Sequence, residues 1–437
     1  MLRRVQLGWA IGLLAAFAPI AAASQDTPRP VYHISVEGAL TPTTVSYVER
    51  GIDTATRESA ELLLLTLNTP GGRLDFMQQI VEAIRASEAP VVVYVSPRGA
   101  AAASAGTLIT LAGHASAMAP ETTIGAASPV GGQGEDLGET LERKAKEDIR
   151  ALARGLTARR GEKASQLAEA MIEEARAVSA SEALEAGLID FVASDPVDLL
   201  RRLDGFSVEV AGRQVTLATA AASIRAIDMT LIEQILSRVA DPNVLALLLF
   251  IGAQAILIEL SNPGGWVAGF VGVVCLALAV YGLGVLPVDW FGLALIALAF
   301  VLFVLDVKAP THGALTAAGA VTLVVGLLVL FSQPGVEEFG RLSIPLVVSL
   351  GLGSALFFAF IVAKGLRAQR ARPVTGVEGL IGSIGAARGD LAPEGFVFVQ
   401  GERWRAVVED GPVSEGAPVQ VVGIDGFRLR VRRVRQG

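Results

Sequence analysis

Between positions 244 and 363 the chain carries seven charged residues in 120, and no other feature limits its fold so tightly. The stretch divides into five apolar runs, at about 244–260, 267–285, 290–307, 314–331 and 344–363. Each approaches the ~20 residues an α-helix needs to cross a bilayer. The turns between them are "ELSNPGGW", "LPVDW", "DVKAPTHG" and "FSQPGVEEFGRLSIP". A middle built this way has lipid for its solvent, so its backbone must satisfy itself within helices. The rest of the chain has to form separate aqueous domains. "KGLRAQRAR" follows the last run, and so basic a cluster predicts a cytoplasmic end. Five spans then leave the part before the first run outside the cytoplasm.

The flanks differ in charge. Residues 24–243 hold 20 Lys+Arg against 30 Asp+Glu, whereas residues 364–437 hold 12 against 8. An acidic domain before the membrane argues against nucleic acid as its partner. The start, "MLRRVQLGWAIGLLAAFAPIAAASQD", has the layout of a secretory signal with cleavage after Ala23. This fits an inner-membrane, multi-pass protein. The one cysteine, Cys275, lies in an apolar run, so there is no intrachain disulfide and no cysteine nucleophile in the acidic part.

Within the acidic part, "VYHISVE", "AELLLLTLNTPGG" and "APVVVYVS" read as strands, the last two buried on both faces. "TTVSYVERGIDTATRES" and "LDFMQQIVEAIRAS" have helical spacing, and "AAASAGTLITLAG" opens a further helix. Such alternation predicts an α/β domain with largely parallel pairing, in which loops at the strand carboxyl ends carry the chemistry. "NTPGG" and "PRGAAAASAG" are loops of that kind. "GAASPVGGQGEDLGE" reads as a mobile loop before a charged helix from about Thr140 to Arg160, and "SASEALEAGLIDFVA" as a closing helix and strand. The tail alternates apolar and polar residues in short runs with turns every eight to ten residues. That is the pattern of a small β-barrel of about five strands, suited to docking.

"PRGAAAASAG" surrounds Ser104 with the smallest side chains. A serine is a weak nucleophile without a positioned base, and the chain has three histidines. His33 lies in the first strand and His312 in a membrane loop. His114 follows Ser104 by ten residues, roughly 15 Å along a helix. A neutral lysine can take the proton instead. Lys144 and Lys146, at the start of the charged helix, are the candidates, with Lys163 further along. Backbone N–H groups of Gly71, Gly72 and Ala105 could hold an oxyanion, and Ser104 at a helix start gains from the helix dipole.

At these residues the sequence resembles the ClpP-like domain of the long NfeD family of membrane-bound serine proteases. The resemblance rests on "LTLNTPGGRLDFMQQIV", "PVVVYVSPRGAAAASAGTLI", "MAPETTIGAASPV" and "SASEALEAGLID". "DPNVLALLLFIGAQAILIELSNPG" resembles that family's first membrane span, and "GVEGLIGSIGAARGDLAPEG" with "GERWRAVVEDG" its OB-like C-terminal domain. It implies a Ser–Lys dyad of Ser104 and Lys144 rather than Lys146. It also implies an oxyanion site at "PGG", with Gly72 ahead of Gly71. ClpP itself would carry its base near "GAASPV", where this chain has Ser128 and no histidine. The implied substrates are apolar peptide segments, notably the tail of a stomatin-like membrane partner.

The expected organisation is a signal peptide at 1–23, a ClpP/crotonase-like α/β serine protease domain at 24–225 and a linker at 226–243. An α-helical transmembrane domain at 244–368 and an all-β OB-like barrel at 374–437 complete it. The expected activity is that of a membrane-bound serine endopeptidase without metal or cofactor, its α/β domain extracytoplasmic, its barrel cytoplasmic, and assembled at least as a homodimer. The rival reading is a non-enzymatic scaffold for stomatin- or flotillin-like proteins. A crotonase-like acyl-thioester enzyme fits poorly with export.

Overall fold

The computed structural model describes residues 28–129, 139–261, 264–309, 311, 313–370 and 377–434. The expected signal, His312 and most of the "GGQGEDLGE" loop lie outside the described residues. The chain divides into two compact units, one of residues 1–301 and 318–353, the other of residues 302–317 and 354–437.

The first unit begins with β1 (Val31–Glu37), α1 (Pro42–Arg57), β2 (Leu62–Asn68), α2 (Leu74–Ala86), β3 (Val91–Val95) and β4 (Ala101–Ala103). It continues through α3 (Ala105–Ala112), β5 (Ala115–Met118), β6 (Thr123–Gly125), α4 (Glu139–Thr157), α5 (Glu162–Glu173) and β7 (Ala177–Ser179). Then come α6 (Ala180–Glu185), β8 (Phe191–Val192), α7 (Pro196–Leu203), a hairpin of β9 (Ser207–Val210) and β10 (Arg213–Thr216), and β11 (Ile224–Ala226). Six strands form one sheet in the order β11-β1-β2-β3-β5-β8, parallel throughout.

The leucine and valine runs of β2 and β3 belong at its centre because both faces are covered. Leu63, Leu65, Leu67, Val91, Val93 and Val95 pack under α1, α2 and α3. Leu62, Leu64, Val92 and Tyr94 pack on the other face with Leu199, Leu203 and Val208. Burying each such side chain stabilises the fold by roughly 1.5–3 kcal/mol.

The alanine run behaves differently from its helical reading. Ala101–Ala103 is a strand, and the helix begins only at Ala105. β4 pairs in parallel with β6, which pairs antiparallel with β7. Alanine's helix propensity yields here to strand hydrogen bonds that only the folded sheet supplies. The stretch 226–243, read as a linker, contains α8 (Leu231–Val239), tied to α1 by an Arg50–Glu233 ion pair at 2.6 Å.

Five apolar helices follow: α9 (Pro242–Ser261), α10 (Val267–Val285), α11 (Trp290–Lys308), α12 (Ala314–Leu330) and α13 (Ile344–Arg370). Four of them are long and apolar enough to cross a membrane, α13 through its part Ile344–Ile361. The fifth, α12, has 17 residues, or about 25 Å of helix, at the short end of what spans a bilayer. α11, α12 and α13 each contribute residues to both units.

The second unit ends in β12 (Ile384–Ala387), β13 (Glu394–Val399), β14 (Glu402–Val408), β15 (Pro418–Asp425) and β16 (Arg428–Arg433), which close into a barrel in the order β12-β13-β14-β16-β15. Alternate residues fill its interior, among them Val397, Val399, Val419, Val421, Leu429 and Val431. The five-stranded barrel expected from the tail's alternation is present.

Candidate active site

In the parallel sheet the exits of β2 and β3 lie side by side. The two loops are laced into one ledge. Thr69 N–H donates to Ala101 O at 2.7 Å, Ala103 N–H to Thr69 O at 3.0 Å, and Ala101 N–H to Asn68 Oδ1 at 3.1 Å.

Ser104 stands at the corner where β4 turns into α3, with φ 50° and ψ −118°. A non-glycine residue adopts such a conformation only when its surroundings enforce it. Here its N–H donates to Gly125 O at 2.9 Å and its carbonyl accepts from Thr107 N–H at 3.0 Å. Thr107 Oγ1, in turn, reaches Ala102 O at 3.0 Å and Gly125 O at 3.1 Å. A strained strand-to-helix corner pushes a serine hydroxyl out of the backbone and towards a substrate. Among the described residues, Ser104 Oγ has no hydrogen-bond partner.

Gly71 explains the small neighbours. A Cβ on it would lie 2.8 Å from Ser104 Cβ and 3.2 Å from Ser104 Oγ. Its N–H donates to Thr69 Oγ1 at 3.0 Å, and its carbonyl accepts from the same hydroxyl at 3.1 Å. Gly72 is in the next turn of the ledge, pressed against Leu40. Among the described residues neither Gly72 N–H nor Ala105 N–H meets an acceptor, the latter opening α3 beside Ser104. The sequence shows Asn68, Thr69 and Thr107 without revealing these supporting roles. The polar pair at the end of an otherwise leucine-rich strand was the available signal.

Lys144 and Lys146 lie two residues apart on α4, hence ~200° apart around the helix. Lys144 lines a cavity of about 510 Å³ together with Ser104 and Gly72. Lys146 points elsewhere and pairs with Glu142 at 2.8 Å. The hydrogen bond it donates to Glu142 pushes its pKa up and so favours the charged form. Lys163 lies in a separate surface hollow with Glu182 and Glu185.

The two described histidines, His33 and His114, are occupied with the fold. His33 Nε2 is hydrogen-bonded to Thr66 Oγ1, and burial lowers its pKa. His114 Nδ1 accepts from Val91 N–H at 3.0 Å, and burial, with Arg85 nearby, lowers its pKa to about 4. Neither lines the cavity, whose apolar walls include Leu74, Leu141, Val285 and Phe339.

The chain resembles known proteins along most of its length. Residues 30–200 match the NfeD1b N-terminal domain, residues 243–364 the NfeD integral membrane domain, and residues 377–433 the NfeD-like C-terminal, partner-binding domain. The chain is 37% identical over 418 residues to the membrane-bound protease PH1510 of Pyrococcus horikoshii, covering 93% of this chain and 94% of that protein. It is 25% identical over 426 residues to the membrane protein NfeD1b of Bacillus subtilis, covering 92% and 93%. Among solved structures it is similar to a lysine-to-alanine mutant of the 1510-N membrane-bound stomatin-specific protease in complex with a substrate peptide. That match has 33% identity and a TM-score of 0.44, over 47% of this chain and 95% of the other. With its α/β domain, membrane helices and closed barrel on one polypeptide, the chain belongs to the long-form NfeD family of membrane proteins.

Proposed function

We propose that the protein is a serine endopeptidase in which Ser104 is the nucleophile and Lys144 the general base. The observation that carries this reading is the shared cavity: Ser104, Lys144 and Gly72 line it, and the described histidines do not. Ser104 Oγ attacks the scissile carbonyl carbon, and its proton passes to the Lys144 amine. The N–H groups of Gly72 and Ala105 stabilise the oxyanion, the N–H of Gly71 being already engaged by Thr69. Collapse breaks the C–N bond while Lys144 protonates the leaving amine. A water then attacks the acyl-enzyme and gives a proton to Lys144; the acyl–Oγ bond breaks, the acid leaves, and Lys144 passes that proton to Ser104 Oγ.

Apolar walls support peptide segments with apolar residues around the cut. The name of the solved relative, a stomatin-specific protease, supports the tail of a stomatin-like membrane protein as substrate. The proposed placement is the inner membrane, with the α/β domain extracytoplasmic after signal cleavage, the barrel cytoplasmic, and the chain at least dimeric. The match of the barrel to a partner-binding domain favours a second reading, a scaffold that holds a membrane partner without cutting it.

The test is cleavage of an apolar peptide library by the full chain in detergent, with Ser104→Ala, Lys144→Ala and Lys146→Ala beside it. Loss in the first two and survival in the third supports the dyad. A folded wild-type chain that cuts nothing leaves the scaffold reading.

A further inference from the structure

The cavity over Ser104 has a wall that the α/β domain does not supply. Val285 ends α10, and Pro287 comes from the link between α10 and α11. Pro334, Gly335, Glu338 and Phe339 come from the link between α12 and α13. The wall is built in. Asp289 N–H donates to Leu330 O at 3.0 Å and Gln333 Nε2 to Asp289 Oδ2 at 3.1 Å, joining one link to the other. Asn243, at the start of α9, donates to Arg341 O at 2.9 Å and accepts from Ser343 N–H at 2.7 Å. Towards the α/β domain, Thr43 Oγ1 meets Tyr281 Oη at 2.9 Å, and Arg73, beside Gly72, donates to Gly284 O at 3.5 Å.

Glu338 is the unexplained group in that wall. It is half-buried, and among the described residues its carboxylate makes no ion pair and no hydrogen bond. Burial pushes its carboxyl up. Arg73, which also lines the cavity, is already bound to Asp75 at 2.7 Å. A half-buried carboxylate without a partner is costly and is relieved by a cation brought to it. The lining of the same cavity is apolar at Leu74, Leu141, Val285 and Phe339 and charged at Asp75, Lys144 and Asp148.

We infer that the two membrane links are the specificity wall of the cleft, and that Glu338 binds a lysine or arginine of a substrate whose neighbouring residues are apolar. Such a segment is what the end of a membrane helix presents: apolar residues, then a basic one at the bilayer surface. The inference rests on the proposed peptidase reading and deepens it.

The experiment compares kcat/KM for two otherwise identical apolar peptides, one carrying lysine and the other norleucine, using the full chain in detergent. A scan moves the residue along each side of the cut. At one position the wild type should prefer lysine by about tenfold or more, as a charge-assisted contact provides. Glu338→Gln should bring that ratio to about one, and Glu338→Asp should restore part of it. No preference at any position overturns the inference. So does a ratio that Glu338→Gln leaves in place, whether the two rates hold, rise or fall together. Cleavage of neither peptide by the folded wild type counts instead against the peptidase reading.

Discussion

Gly71→Ala tests the geometry of the corner most directly. The new Cβ would lie 2.8 Å from Ser104 Cβ, whereas ordinary contacts begin at 3.4 Å. The difference, about 0.6 Å, has to be taken up by the Ser104 corner or by the ledge. Gly71 also has φ +129°, which alanine adopts only under strain, at about 1–3 kcal/mol. A nucleophile displaced by a good fraction of an ångström loses on the order of 10–100-fold in rate. The control is Gly38→Ala. Gly38 has φ +85° and nothing within 4 Å of a Cβ, so it carries backbone strain without the collision. Thermal melting and kcat/KM on an apolar fluorogenic peptide, for the full chain in detergent, separate the two effects. Both variants should melt earlier, and only Gly71→Ala should lose rate. Activity within threefold of wild type for Gly71→Ala would refute the claim that the ledge sets the position of Ser104.

Further outcomes follow from the same contacts. Lys146→Gln should leave peptide cleavage within about threefold, since it removes an ion pair with Glu142 on the surface of α4. His114 has a folded pKa of about 4 against an unfolded value of 6.5. The unfolded chain therefore takes up the proton first as pH falls. The neutral imidazole contributes stability above pH 6.5 that is lost on the way down to about 4, up to about 3 kcal/mol in all. His114→Asn, which keeps an acceptor for Val91 N–H, should flatten the melting temperature between pH 7 and 4; an unchanged slope refutes this. Arg160 bonds Asp190 at 3.0 Å and Ser116 Oγ at 2.8 Å with its side chain 11% exposed. Arg160→Ala should destabilise the fold by roughly 2–4 kcal/mol in denaturant titration by leaving Asp190 half-buried and short of its partner.

The corner at Ser104 shows where local reading stops. Three alanines before a serine carry a helical preference, and nothing within the run says that Ala101 will bond to Asn68 and Thr69 thirty residues earlier. The strand hydrogen bonds are long-range, and they reverse the preference. The two lysines make the same point. Composition narrows the proposed base to Lys144 or Lys146, and only the rotation of α4 against the sheet places one in the cavity and the other on Glu142. Likewise "PGG" offers adjacent amides of equal standing. Thr69 decides between them by taking the N–H of Gly71.

Some properties are written into the chain one segment at a time. Five apolar runs demand lipid, doubly buried leucine and valine runs demand a covered parallel sheet, and alternation in the tail demands a barrel. Each follows from burial and periodicity within a few neighbouring residues, so the sequence alone determined them. The strained serine, the single inward lysine, the spare amide of Gly72 and the membrane-derived wall with Glu338 were decided by the tertiary structure. Each depends on groups from distant segments meeting within a few ångströms, and such meetings leave no periodic trace in the chain.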